Sequence, residues 1–228
     1  MKAIVLSSGG VDSTTCLAVA VDKYGADNVI SLSVYYGQKH EKELRAARDV
    51  AEYYKVCHIE LDLEPIFKDS DCSLLSHSEE DIPKESYGKQ LAKTKGKPVT
   101  TYVPFRNGLF LSVAASIAIS NGCGEIYYGA HADDSAGSAY PDCSDEFTSA
   151  MREAIKTGSG SGLTVVAPFV RCNKAEVIRK GLELGTPYEL TWSCYEGGEK
   201  PCGRCGTCID RQKAFEANGV KDPAIQGG

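Results

Sequence analysis

The chain has 228 residues, 42% of them apolar and 25% charged, with a formal net charge of −6. This length and balance suit one α/β domain with room for an appendage. The acidic excess advertises no basic surface for nucleic acid, and the longest apolar stretch, Leu109 to Ile119, is interrupted by serines and too short to cross a bilayer.

Ala3 to Leu6 is an apolar, β-branched run that predicts a buried strand. Ser8-Gly9-Gly10-Val11-Asp12-Ser13 follows, and a helix is expected from about Ser13. Strand, glycine-containing loop and helix together bend backbone amides around phosphate, with the helix N-terminus adding its positive dipole end. Ser8 and Ser13 supply hydroxyls, and Asp12 suits a magnesium ion. The loop has no lysine, so it is not a Walker P-loop. Its wording resembles the signature of the ATP pyrophosphatases, which activate an oxygen of their substrate; the plainer reading is an ordinary βα turn.

Further strands are expected at Asn28–Tyr35 and Val56–Leu61, with a helix over His40–Tyr54 between them. Residues 64–101 lose periodicity and read as a long loop, a candidate lid. A helix over Asn107–Ser120, a strand over Glu125–Gly129, a helix over Asp145–Lys156, a flexible connector over 157–162 and a strand over Leu163–Ala167 come next. Asn173 then caps a helix to Leu184, ended by Gly185 and Pro187. The pattern predicts an open, doubly wound parallel sheet of five strands in residues 1–187, with a cysteine-bearing tail, 188–228, packed on it. Ligands of such sheets sit beyond the carboxyl ends of the strands. That places Ser7–Ser13, Tyr36–Glu41 and Gly129–Cys143 around the site.

The tail reads Cys194-x7-Cys202-x2-Cys205-x2-Cys208, four thiolates suited to a closed structural zinc site, with an iron–sulfur cluster as the rival. The other six of the ten cysteines are scattered. Such cysteine use, and a start with no signal-peptide pattern, predict a cytoplasmic protein. Arg106, at a helix start where the dipole does not favour a cation, suggests a carboxylate or phosphate contact. His131 with Cys143 invites a thiol-hydrolase reading, which lacks an orienting third residue. Carboxylates in the same loop suit polar recognition of a heterocycle, with Tyr140 to stack on it. Lys174 is placed to reach back to phosphates as a mobile point charge.

Together, Ser8–Cys16, Tyr36-Gly37-Gln38-Lys39-His40, Val103-Pro104-Phe105-Arg106-Asn107, Tyr140-Pro141-Asp142-Cys143, Asn173-Lys174-Ala175-Glu176 and the cysteine tail resemble the 7-cyano-7-deazaguanine synthase family, over nearly the whole chain. One departure is a run from Asp134 to Tyr140 about two residues longer than the family's, with Ser144 in place of an arginine. The resemblance implies an adenine nucleotide alpha hydrolase-like fold and a ligase that converts 7-carboxy-7-deazaguanine, ammonia and ATP to a nitrile in queuosine or archaeosine precursor synthesis. It implies Asp12, Ser13, Lys174 and Arg106 as catalytic, and Ser7, Ser8, Gly9, Gly10, Val11, Asp12, Ser13, Thr14, Thr15, Cys16 and Leu17 around ATP. Tyr36, Gln38, His40, Arg106, Asn107, His131, Asp133, Asp134, Tyr140 and Asp142 would meet the substrate. Zinc on Cys194, Cys202, Cys205 and Cys208, magnesium with ATP, free ammonium as nitrogen source and a homodimer complete the expectation. The alternatives are a tRNA-thiolating or lysidine-forming ATP pyrophosphatase, and a non-catalytic nucleotide-binding zinc protein.

Overall fold

A computed structural model describes residues 1–94, 97–160 and 162–226. In chain order its elements are β1 (Lys2–Leu6), α1 (Val11–Tyr24), β2 (Val29–Tyr35), α2 (Lys42–Tyr54), β3 (Cys57–Asp62), α3 (Tyr87–Thr94), α4 (Arg106–Ser120), β4 (Cys123–Tyr127), α5 (Ala132–Ser135), α6 (Asp145–Gly158), β5 (Thr164–Val166), α7 (Lys174–Glu183), α8 (Gly206–Ala217) and α9 (Pro223–Gln226). The sheet runs β3-β2-β1-β4-β5, every pairing parallel. The chain winds outward from β1 through β2 to β3, then returns to β4 on the other side. The strand order therefore reverses at β1, and the crevice above β1 and β4 is where a ligand fits.

β1 reads as an unbroken apolar run because both of its faces are covered. Ile4 packs with Leu32, Ile126 and Leu111 on the side of α4, while Ala3 and Val5 pack with Leu17, Val50 and Val177 on the side of α1, α2 and α7. Register is fixed by the pairings Ile4 with Ile30 and Ile4 with Ile126. Among the described residues no helix is long and apolar enough to cross a membrane.

Three expectations change in detail. Helix α1 begins at Val11 rather than Ser13, because Gly10 takes the extended N-cap conformation. Residues 64–101 are not structureless: they hold a 3-10 turn (Glu64–Phe67), α3 and a bridge from Leu75 to Gln38. Phe67, Leu74, Leu75 and Ile82 share a core with Tyr36 and the tail cysteines, so the segment is packed down rather than a free flap. The connector is shorter than expected, since α6 continues to Gly158; Ser161 lies outside the described residues.

The tail adds α8, which is pinned by a buried ion pair. Arg211 Nε and Nη2 donate to the two oxygens of Asp222 at 2.6 and 2.8 Å, and Nη1 and Nη2 reach Thr191 Oγ1 and the Tyr188 carbonyl at 2.8 and 3.2 Å. Every donor direction of the guanidinium fork is used, which is what makes a buried cation tolerable. Ahead of it, α7 starts on a capping box: the Asn173 side chain accepts from the Glu176 amide at 3.0 Å, and Glu176 Oε2 accepts from the Asn173 amide at 2.8 Å. That cap fixes Lys174 in the first turn of α7, where the tail and the sheet meet.

Candidate active site

The loop after β1 is tied to itself and to two neighbours. Ser13 Oγ accepts from the Ser8 amide at 3.1 Å, lies 3.1 Å from Ser8 Oγ, and donates to the Gly10 carbonyl at 3.2 Å. Gly9 has φ +77°, and a Cβ there would lie 2.3 Å from the Glu43 carbonyl and 2.6 Å from the Ala47 nitrogen. Only glycine lets the loop lie this close to α2 in that conformation. On the other side the Trp192 amide donates to the Gly9 carbonyl at 2.9 Å. The N-cap of α1 is Gly10, which has no side chain to cap it, so the first-turn amides and the two serine hydroxyls form a ready anion cradle.

Asp12 stands at the base of this cradle. Its Oδ2 accepts from Lys174 Nζ at 2.9 Å and lies 3.6 Å from His131 Nε2, which is itself 3.3 Å from Asp134 Oδ2. Burial would raise the Asp12 pKa, but the Lys174 ammonium and His131 outweigh it and hold the carboxyl well below the usual range. Burial likewise opposes the charge on Lys174 and His131, and the surrounding carboxylates, Asp12 and Asp134, push both pKa values up. The Lys174 backbone amide donates to Asp133 at 2.8 Å, which locks α7 to the loop after β4. Asp12 Oδ1 is buried with no hydrogen-bond partner among the described residues. A ligand that a carboxylate oxygen can meet, such as a hard divalent cation, fits that atom.

Arg106 reaches the same cleft from the start of α4. Phe105, just before it, has φ 54° and ψ 26°, a left-handed conformation rare for an aromatic residue. The ring of Phe105 folds back onto Gly108, where a Cβ would come within 2.3 Å of it, and meets Phe147 edge-on at 5.9 Å. This turn directs Arg106 inward. Its Nη1 donates to the Tyr36 hydroxyl at 3.1 Å, and its guanidinium carbon lies 5.0 Å from the Tyr36 ring centre. Burial works against the charge, but Tyr36, Asp142, Tyr195 and Glu43 outweigh it, so the arginine stays protonated.

The cleft has a volume of about 220 Å³, opens to solvent, and brings together Ser7, Ser8, Gly10, Asp12, Ser13, Tyr36, Gln38, Arg106, Asn107, His131, Asp133, Asp134 and Lys174 from distant parts of the chain. Others of the expected residues lie elsewhere. Gly9 turns its Cα toward α2, while Val11, Thr14, Thr15, Cys16 and Leu17 are buried in the layer beneath the loop, where Thr15 bonds Tyr188 at 2.7 Å. His40 Nε2 donates to the Cys194 carbonyl at 3.0 Å and holds the tail. Tyr140 is buried, its hydroxyl 2.5 Å from Thr101. The longer run before it explains that orientation: Gly137 and Ser138 both take positive φ, and the Tyr140 amide closes onto the Asp134 carbonyl at 3.0 Å. Asp142 accepts from the Asn107 amide at 2.9 Å and so caps α4. Ser144 is the N-cap of α6 and accepts from the Phe147 amide at 3.1 Å. Cys143 does line the cleft, but burial pushes its thiol well above the ordinary range, which withholds the thiolate a hydrolase would need.

Sequence reasoning missed the far wall. Trp192, Ser193, Tyr195 and Thr207 of the tail line the cleft, as does Glu43 of α2. The four tail thiols lie within 4.8 Å of one another, and Thr207 Oγ1 donates to the Ser193 carbonyl at 2.6 Å. The cysteine knuckle and the cleft wall are thus one piece of structure.

A parallel sheet of this order, with an uncapped anion loop after β1 and an aspartate–lysine pair at its base, defines the PP-loop class of adenine nucleotide alpha hydrolase-like folds. Two solved structures share the fold: NMN synthetase from Francisella tularensis, with a TM-score of 0.52 and 16% identity over 96% of this chain and 78% of that one, and the U34-tRNA thiolase NcsA from Methanococcus maripaludis with its 4Fe-4S cluster, with a TM-score of 0.50 and 15% identity over 96% and 66%. The family model for queuosine biosynthesis protein QueC matches residues 2–219. Relatives named 7-cyano-7-deazaguanine synthase are 45% identical in Archaeoglobus fulgidus, over 99% of this chain and 90% of that one, and 43% identical in Caldicellulosiruptor bescii, over 98% and 96%. The chain belongs to the QueC family.

Proposed function

We propose that this protein is an ATP-dependent ligase that makes 7-cyano-7-deazaguanine from 7-carboxy-7-deazaguanine and ammonia. The observation that carries the reading is a single cleft with an anion cradle backed by Asp12 and Lys174 on one side and the Arg106–Tyr36 corner on the other. A carboxylate resists ammonia until one of its oxygens becomes a leaving group. Attack of that oxygen on a phosphorus of ATP breaks a phosphoanhydride bond there, expels the remaining phosphate-bearing fragment, and makes one. Ammonia then adds to the acyl carbon, the phosphorus-bound oxygen departs, and a primary amide forms. A second transfer, to the amide oxygen, lets the nitrogen lose its two protons as the C–O bond breaks, leaving C≡N.

In this reading Ser8, Ser13 and the amides of the α1 N-terminus hold the phosphates, and Lys174 meets the charge that grows on the departing phosphate. His131, whose pKa is raised against burial by Asp134 and Asp12, lines the same side of the cleft. Arg106, Tyr36, Gln38 and Asn107 hold the substrate, so the main contribution is positioning and electrostatics. Asp12, through its unpartnered oxygen, would hold the magnesium ion that accompanies ATP, which supplies charge screening. The tail thiols suit one zinc ion: Zn–S bonds of about 2.3 Å put tetrahedral thiolates about 3.8 Å apart, compatible with thiols all within 4.8 Å. A cubane cluster would set four irons between them and spread them farther. A reducing, cytoplasmic setting fits ten cysteines that are all free thiols. The net charge of −6 favours small substrates over nucleic acid, and a homodimer follows only from family resemblance.

Purified protein given 7-carboxy-7-deazaguanine, ATP, magnesium and ammonium yields the nitrile by mass spectrometry if the reading is right. ATP binding without substrate-dependent turnover would instead favour a nucleotide-binding zinc protein.

A further inference from the structure

Glu43 is the one carboxylate of the α2 first turn that faces the cleft. Among the described residues no hydrogen bond or ion pair engages it. A first-turn acid usually faces solvent and profits from the helix dipole. Glu43 instead lies beside the anion loop, its own carbonyl packed against Gly9. Burial pushes its carboxyl up to about 7, opposed by the charge of Arg106. A half-buried, unpartnered carboxylate in a cleft is costly unless a ligand completes it.

Its surroundings specify that ligand. Tyr36 and Phe110 have ring centres 5.9 Å apart and form an aromatic wall, and Arg106 carries its donors over Tyr36. Tyr36 and Arg106 are both close enough to feel the charge of Glu43. A flat heterocycle that carries an acceptor beside two adjacent N–H donors complements this corner. The pyrimidine edge of a guanine-type base has that order: a carbonyl oxygen, a ring N–H and an exocyclic amine. In the proposed substrate the 7-carboxyl projects on the same side as that carbonyl, within reach of the same guanidinium.

Resting on the function proposed above, we infer that Glu43 is the specificity-determining residue of this site. Its two oxygens accept from the ring N–H and the exocyclic amine of the deazaguanine, while Arg106 donates to the carbonyl. A carboxylate is the only side chain that offers two charged acceptors at that spacing. A base lacking the amine leaves one Glu43 oxygen desolvated and unpaired, the situation in which polar sites discriminate most strongly.

The test is calorimetric binding of 7-carboxy-7-deazaguanine and of its analogue without the 2-amino group, each to the metal-loaded full chain, with ATP affinity measured in parallel. The unaltered protein should bind the analogue about 100-fold or more weakly. Glu43→Ala and the isosteric Glu43→Gln should bring the two ligands within a few-fold of each other, with ATP affinity unchanged. Retained discrimination in both variants overturns the assignment. So does a parallel loss of ATP affinity, which would make Glu43 a support for the anion loop. If the unaltered protein binds ATP but neither deazaguanine, the proposed function itself fails and this assignment falls with it.

Discussion

Replacing Asp12 with asparagine lowers kcat by about 100- to 1000-fold and weakens ATP binding, while the sheet remains folded. Asparagine keeps the shape of the side chain but removes the negative charge that lies 2.9 Å from Lys174 Nζ and 3.6 Å from His131. The Lys174 ammonium is then left beside His131, Nζ and Nε2 being 3.5 Å apart, without the carboxylate that lies against both side chains. The single oxygen that asparagine keeps cannot serve both Lys174 and a divalent cation, whereas Asp12 has one oxygen on Lys174 and one unpartnered. Lys174→Ala should cost a similar factor, and the double variant little more than either single one, because the two side chains act as a unit. Steady-state kinetics with calorimetric ATP titration checks this; an Asp12→Asn protein with unchanged kcat would contradict it. The acid limb of the pH profile does not belong to this pair. The Asp12 pKa is depressed in the fold. Its contribution to stability is therefore complete above the ordinary carboxylate value of about 3.9 and is lost only as pH falls through the lower, folded value.

With the four tail thiols holding the zinc ion proposed above, removing that ion should lower Tm by about 10 °C or more and abolish substrate binding, with the sheet signal in circular dichroism largely kept. A structural zinc ion contributes on the order of 10 kcal/mol to a small domain that folds around it, and a chain of this size loses about 2–4 °C of Tm per kcal/mol. Cys194 sits at the join: its carbonyl accepts from Trp192 Nε1 at 2.7 Å and from His40 at 3.0 Å, and the Trp192 amide anchors Gly9 at 2.9 Å. Loss of the metal therefore frees the cleft wall and one anchor of the anion loop together. Cys205→Ser should reproduce the effect of a strong chelator. Metal analysis giving about one zinc per chain, with melts before and after stripping, tests this; an unshifted Tm would contradict it.

Much of this could be seen in the chain itself. The β-branched run at Ala3–Leu6 and the Ser-Gly-Gly-Val-Asp-Ser loop after it obey local rules, so strand, cradle and helix were all legible. Asn173 announces a helix start, and the parallel α/β order carries Lys174 to the carboxyl ends of the strands even though it is 162 positions from Asp12. Facing was not legible. Nothing in the wording Tyr-Pro-Asp-Cys tells that Tyr140 turns into the core toward Thr101 while Asp142 caps α4. Those orientations depend on a left-handed pair at Gly137 and Ser138 and on contacts distant in sequence. Glu43 was hidden because an acid in the first turn of an amphipathic helix already has a local explanation. Helix α8 was obscured by the cysteine run that leads into it, although Cys208, Arg211, Ala214 and Phe215 fall on one buried face at helical spacing.

The central claim is that the acid oxygen of the substrate leaves bound to phosphorus. It is tested most directly with 7-carboxy-7-deazaguanine labelled with oxygen-18 in its carboxyl group, turned over with ATP and ammonium in unlabelled water. Both labelled oxygens should be recovered on phosphorus, in AMP or phosphate, for each nitrile formed. Label recovered in water, with phosphorus products unlabelled, would contradict it.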